Sequence, residues 1–180
     1  QIDKDLSSVW GIQAQISPFH AQDPISNGVW PIYILDKSEF GLGVHLDHNG
    51  VPFAEVKYDP NSWDNTTVTI SHEMLEMLVD PYGNRFIQAP DIDPSALDRH
   101  LVSYLVEVGD PCETFSYSID GVSVSDFVTP EYYNNNAPLN TEFDLLRKLR
   151  QPLQVSNGCY ISFEDPQDNN WHQKDTHGNF

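Results

Sequence analysis

The chain has 180 residues, enough to bury one proper core, and its 27 acidic against 9 basic side chains give a net charge of −18. That balance excludes nucleic-acid binding through phosphate neutralisation, which needs Lys and Arg, and no apolar run approaches the length of a membrane span. An acidic surface keeps a protein soluble and suits high salt or divalent cations.

No basic, apolar leader opens the chain. Its start at Gln1 rather than Met fits a trimmed or partial product. Asp3 to Trp10 reads as a helix or a strand, with Leu6, Val9 and Trp10 as apolar contacts. Val29 to Leu35 is short, β-branched and aromatic, the pattern of a buried strand. Val44–His48 and Val51–Tyr58 flank Asn49-Gly50, whose residues tolerate the positive φ of a tight turn, so an antiparallel hairpin is predicted. Strand alternation puts His45 and His48 on opposite faces. His45 is the better site candidate, although an isolated histidine there is also an ordinary structural residue.

Asp59 to Asn65 reads as loop, and Asn65 or Thr66 as the cap of a helix that runs to about Val79 and stops at Asp80-Pro81. Tyr82 to Asp93 reads as loop and Pro94 to His100 as a possible short helix. The apolar run Leu101–Val108 leads into the acidic stretch Glu107–Glu113. Asp120-Gly121 marks a second hairpin. A helix is predicted from Asn140 or Thr141 to Leu149, with cationic side chains at its end, and a last strand over Gly158–Phe163. Glu164 to Phe180 is polar and expected to be loosely held. Cys112 and Cys159 form no C-x-x-C motif, so a thiolate zinc site is not expected; a disulfide and two buried thiols are equally compatible.

The chemistry concentrates in Ser71–Pro81. At about 100° per residue, His72, Glu73, Glu76 and Asp80 share a narrow arc with Thr69, and the rest of the helix is mostly apolar. Such a helix is usually buried. Burying a histidine and two carboxylates is costly unless something neutralises them, and a metal ion does that. His72 and Glu76, at i and i+4, reach one point beside the helix, and Glu73 reaches a water held there. This is the H-E-x-x-H hydrolase geometry with Glu in the second ligand position. The competing reading is an amphipathic helix whose His and Glu face solvent.

A catalytic zinc takes three protein ligands and keeps one position open. The third is expected from the Glu107–Asp110 cluster: Glu107 as ligand and Asp110 accepting the free N–H of His72, or the two exchanged. Asp80, about 12 Å along the axis from His72, is too far to share the ion and reads as a partner for a loop backbone or for a ligand. Glu73 is then the general base. Two carboxylates and one imidazole neutralise a dication, which weakens it as a Lewis acid; zinc is expected, with manganese or calcium as alternatives.

The same residues resemble a family of bacterial and phage-encoded proteins related to the zincin metallopeptidases. The shared pattern is Gly43-Val44-His45, Ser71 to Pro81, Glu107 to Asp110, Asp120 to Val128 and Gly158 to Ile161, in order over about residues 9 to 172. Val44 stands where the family often has Tyr, and Gly109 where it often has Cys. More distantly, the helix and the Glu107–Cys112 segment resemble the plant phosphate-induced (Exordium-like) proteins. The resemblance implies a single α+β domain over residues 1–180: a zincin-like, twisted mixed sheet packed on the metal-site helix, with a loose tail from about residue 164. It also implies that the Gly41–His48 strand edges the cleft, where an extended peptide adds. The expected function is zinc-dependent hydrolysis of a peptide or protein substrate, in an extracellular or virion-associated setting rather than the cytoplasm. The alternative is a non-catalytic, metal-stabilised module for attachment or assembly into a virion or surface complex.

Overall fold

Two hairpins, one long helix and an antiparallel sheet account for most of the regular structure in the computed structural model, which describes residues 1–92, 100–138, 140–176 and 178–179. The class is α+β, with more sheet than helix. Among the described residues no helix is long and apolar enough to cross a membrane.

The N-terminus is helical. Ile2–Leu6 winds as a π-helix and continues into α1 (Ser7–Trp10), which ends at Gly11 with φ 70°. Leu6 is fully buried, and the Trp10 indole donates to the Val128 carbonyl at 2.9 Å, which ties this end to the core.

β1 (Ile32–Leu35), β2 (Gly43–His48) and β3 (Val51–Lys57) form one sheet in the order β1-β3-β2, with β1 parallel and β2 antiparallel to β3. The predicted turn is present: Asn49 and Gly50 both have positive φ. β3 alternates, with Pro52, Ala54 and Val56 turned inward. β1, expected to be buried, is instead an edge strand that leaves Tyr33 and Ile34 exposed.

α2 (Trp63–Val79) starts three or four residues earlier than its sequence suggests. Ser62 is the cap, its hydroxyl accepting from Asn65 N at 3.2 Å. The helix ends at Asp80, before Pro81, as predicted.

The expected loop over residues 82–93 contains β4 (Phe86–Pro90), which pairs with β5 (Leu101–Leu105). All but the last residue of the short helix expected over Pro94–His100 lies outside the described residues. β6 (Ser116–Ile119) and β7 (Val122–Ser125) form the second predicted hairpin, turning at Asp120 and Gly121. Ser71 Oγ on α2 accepts from Ser125 N at 3.0 Å and donates to Gln1 Oε1 at 2.6 Å, which joins helix, hairpin and N-terminus.

No helix forms over 141–149. Asp144 there pairs as an isolated bridge with Val128 and caps the following turn with its side chain, accepting from Lys148 N and Leu149 N. A side chain that takes up backbone N–H groups competes with the helical ladder.

The C-terminal stretch is also more ordered than expected. β8 (Ile161–Asp165), β9 (Asn170–Asp175) and β10 (Gly178–Asn179) extend the second sheet, in the order β10-β9-β8-β5-β4. Lys174 is buried, 2.6 Å from Asp91, with its ammonium over the Phe163 ring, so β9 is anchored rather than loose. Leu75 of α2, Tyr104, Val106, Val108, Phe127 and Phe163 meet in the core. Cys112 and Cys159 are both buried free thiols.

Candidate metal centre

α2 supplies His72, Glu73 and Glu76 on one face. β2 brings His45 against that face, and the chain after β5 brings Glu107, Gly109 and Asp110. His72 Nε2 lies 3.2 Å from Glu76 Oε1 and 3.3 Å from Asp110 Oδ1. One imidazole nitrogen carrying one hydrogen cannot donate to both. Ligands bound to zinc at 2.0–2.2 Å in a tetrahedron stand about 3.4 Å apart, so this spacing suits three donors to one ion. Asp110 therefore sits beside Glu76 on the same nitrogen of His72, which differs from both arrangements expected from sequence, since neither puts Glu107 away from His72.

Glu107 is drawn elsewhere, to His45. His45 Nε2 lies 3.8 Å from Glu107 Oε2, and His45 Nδ1 lies 3.6 Å from Glu76 Oε2 and 3.9 Å from Glu73 Oε2. The His45, Glu76 and Glu107 donor atoms lie within 4.8 Å of one another, as do those of His72, Glu76 and Asp110. Glu76 belongs to both groups.

His45 Nε2 is 3.2 Å from the Asp80 carbonyl oxygen. A carbonyl only accepts, so Nε2 carries the hydrogen and the lone pair of a neutral ring is on Nδ1, facing Glu76. The Asp80 carboxylate points away and accepts from Asn84 N and Arg85 N, the loop-backbone role expected of it. His48 stays outside, exposed and bonded to Asn49.

Without an ion the cluster is electrostatically strained. Burial alone would lower the His45 pKa, but the Glu73 and Glu76 carboxylates overcome it and hold it at about 11. His72 is likewise raised, against burial, by Glu76 and Asp110. Burial pushes up Glu73, and pushes Glu107 well above the usual carboxylate range. Asp110 is pushed up to about 7 by burial and then by Glu76. Glu76 goes the other way: His72 and His45 outweigh its burial and keep it ionised, with Gly109 N donating to it at 3.0 Å. Glu107 Oε2 is buried with no hydrogen-bond partner. An orphaned carboxylate oxygen, ligand-like spacing and a histidine whose second nitrogen is held by a carbonyl all fit a divalent cation.

Two glycines make the site possible, and the sequence reading gave neither a role. A Cβ at Gly43 would collide with the Glu73 carboxylate, and one at Gly109 with the His72 ring. The available signal was Gly43 two residues before His45, on the same strand face. A groove of about 540 Å³ runs beside α2, lined by Leu42, Thr69, His72, Glu73 and Tyr160 among others. Glu73 is thus the cluster's carboxylate that opens onto a cleft. A third group, Asp165, Asp168 and His172, sits on the β8–β9 turn with Asp168 exposed. Comparisons with protein-family models, curated proteins and solved structures give no match.

Proposed function

We propose that the chain is a zincin-like, metal-dependent hydrolase that cleaves peptide bonds. The observation that carries this reading is the convergence of Glu76 and Asp110 on His72 Nε2, at 3.2 and 3.3 Å, next to a carboxylate that faces a groove. His72, Glu76 and Asp110 would hold the ion. A bound divalent ion supplies a Lewis acid and lowers the pKa of water. Glu73, at the groove wall, accepts a proton from water and returns it to the leaving amine. Gly43 keeps β2 close enough to Glu73 to hold that carboxylate in place. β2 is the edge strand of its sheet, so an extended peptide can add to it and lie along the groove. Two carboxylates and an imidazole would formally cancel the charge of a dication and make it a weaker Lewis acid, a donor set open to zinc, manganese or calcium.

Glu73→Gln separates catalysis from metal binding. The variant should keep its metal and fold and lose at least about 100-fold in turnover of a peptide library, the usual range for a lost general base. Turnover equal to the parent would exclude the peptidase reading.

One observation favours the second reading, an attachment module with a structural ion. Residues 11–31 carry no helix or strand, and Ile16, Phe19, Ile25 and Trp30 in that stretch are exposed, as are Phe40 and Leu42 further along the chain. Apolar exposure of that kind suits a binding surface. Under this reading the parent and Glu73→Gln bind metal alike and neither turns over peptide.

A further inference from the structure

The two oxygens of Glu76 face different partners. Oε1 takes the Gly109 N–H and lies beside His72; Oε2 lies beside His45. Each side has its own imidazole and its own further carboxylate: Asp110 with His72, Glu107 with His45. A carboxylate that offers one oxygen to each of two donor sets is placed to bridge two ions, and paired metals in hydrolytic sites stand about 3.5–4 Å apart.

We infer that the site holds two divalent cations bridged by Glu76, the second bound by His45 Nδ1, Glu76 Oε2 and Glu107. This inference deepens the hydrolase reading and rests on it for the first ion. Three observations carry the second. His45 has its Nε2 hydrogen fixed on the Asp80 carbonyl, the usual arrangement of a metal-binding histidine, so Nδ1 is the free donor. Glu107 Oε2, in the same cluster, is buried without a hydrogen-bond partner, 3.8 Å from His45. Charge supplies the third. Glu73, Glu76, Glu107 and Asp110 are four largely buried carboxylates, and the groups interleaved with them that can carry positive charge are two imidazoles, the Gly109 N–H and the Tyr160 side chain being neutral donors. Two dications match four carboxylates, whereas one leaves two negative charges in a site from which water is largely excluded.

The consequence for chemistry is a different division of labour. With Glu107 and Asp110 each assigned to one ion, Glu73 borders the second donor set, 3.9 Å from His45 Nδ1, and is the carboxylate of the four that lines the groove, where it can move a proton.

The test is metal stoichiometry on the full chain. It is loaded with Mn2+ and dialysed, counted by elemental mass spectrometry and examined by electron paramagnetic resonance. An Asp168→Asn background removes the exposed β8–β9 turn as a competing site. Two manganese per chain with an exchange-coupled spectrum is the expected result, and His45→Ala should then hold one, uncoupled. One manganese per chain overturns the second site and leaves the hydrolase reading standing. Two uncoupled ions also overturn the bridge. No manganese and, on reloading, no zinc would overturn both readings together. Should His45→Ala fail to fold, the count and coupling in the parent still decide the question.

Discussion

Two of the places where the described residues bury carboxylates treat them in opposite ways. Asp126 and Asp144 are both fully buried, and the backbone answers three of their four oxygens: Asp126 Oδ1 accepts from Phe127 N and Leu146 N, and Asp144 accepts from Lys148 N and Leu149 N at 2.8 and 2.7 Å, while Asp126 Oδ2 has no hydrogen-bond partner. Around Glu76, among the described residues, one backbone N–H serves the whole cluster, that of Gly109. The remaining partners there are two imidazoles and the Tyr160 side chain, and Glu107 Oε2 faces His45 across 3.8 Å with no hydrogen bond. Buried carboxylates met by fixed N–H groups shape a turn and need no ion. Buried carboxylates left to face each other across two histidines call for a cation. The contrast, rather than acidity as such, marks the Glu76 cluster as the candidate site.

The largest test of this contrast is metal removal. Loading the chain at a thousand times Kd stabilises it by about 4 kcal/mol. For a domain of this size that is on the order of 10 °C in Tm. Chelator added during a calorimetric scan should therefore lower Tm by about that much, and an unchanged Tm would mean that the cluster holds no ion. Asp126 and Asp144 play no part in this effect, so Asp144→Asn should leave the chelator-dependent shift intact even where it lowers Tm.

Gly109→Ala comes next. Its Cβ would lie well inside ordinary contact with the His72 ring, so the ring must move or the chain after β5 must retreat. Displaced support of a ligand typically costs 10–100-fold in metal affinity. Competitive titration against a chromophoric chelator should show a loss in that range, with far-ultraviolet dichroism unchanged. Parent-like affinity would mean that His72 is not a ligand.

How much of this was legible in the sequence depended on how local the cause was. The turns at Asn49-Gly50 and Asp120-Gly121 were readable because their backbone demands fall on two residues. His72, Glu73 and Glu76 were readable because helical spacing alone puts them on one face. The joining of His45 with Glu76 was not, since it depends on how closely β2 approaches α2, and that approach depends on Gly43 having no side chain. The split of Glu107 and Asp110 between two histidines was invisible for the same reason. The predicted helix over 141–149 failed through a distant event. Its apolar spacing is helical, but Asp126 claims Leu146 N and Asp144 claims the next free N–H groups. The strand over Asn170–Asp175 was hidden by polar composition, because its buried cation is answered by Asp91, far away in sequence.

The smallest effect belongs to the other half of the comparison, and its sign follows from protonation. Burial, then the neighbouring Asp144, raises the Asp126 pKa from 3.8 to about 8. Between those values the folded chain holds a proton that the unfolded chain has released. Stability therefore falls as pH rises through that window, from about pH 4 to about pH 8. Asparagine keeps the acceptor oxygen for Phe127 N and Leu146 N, and its amide donates toward Asp144 without a proton to lose. Asp126→Asn should thus be near-neutral at pH 5 and more stable than the parent by about 1 kcal/mol above pH 8. Urea midpoints taken across that range should diverge between the two proteins as pH rises. Parallel curves would mean that Asp126 is already ionised in the fold, and that its two backbone N–H groups suffice without the shared proton.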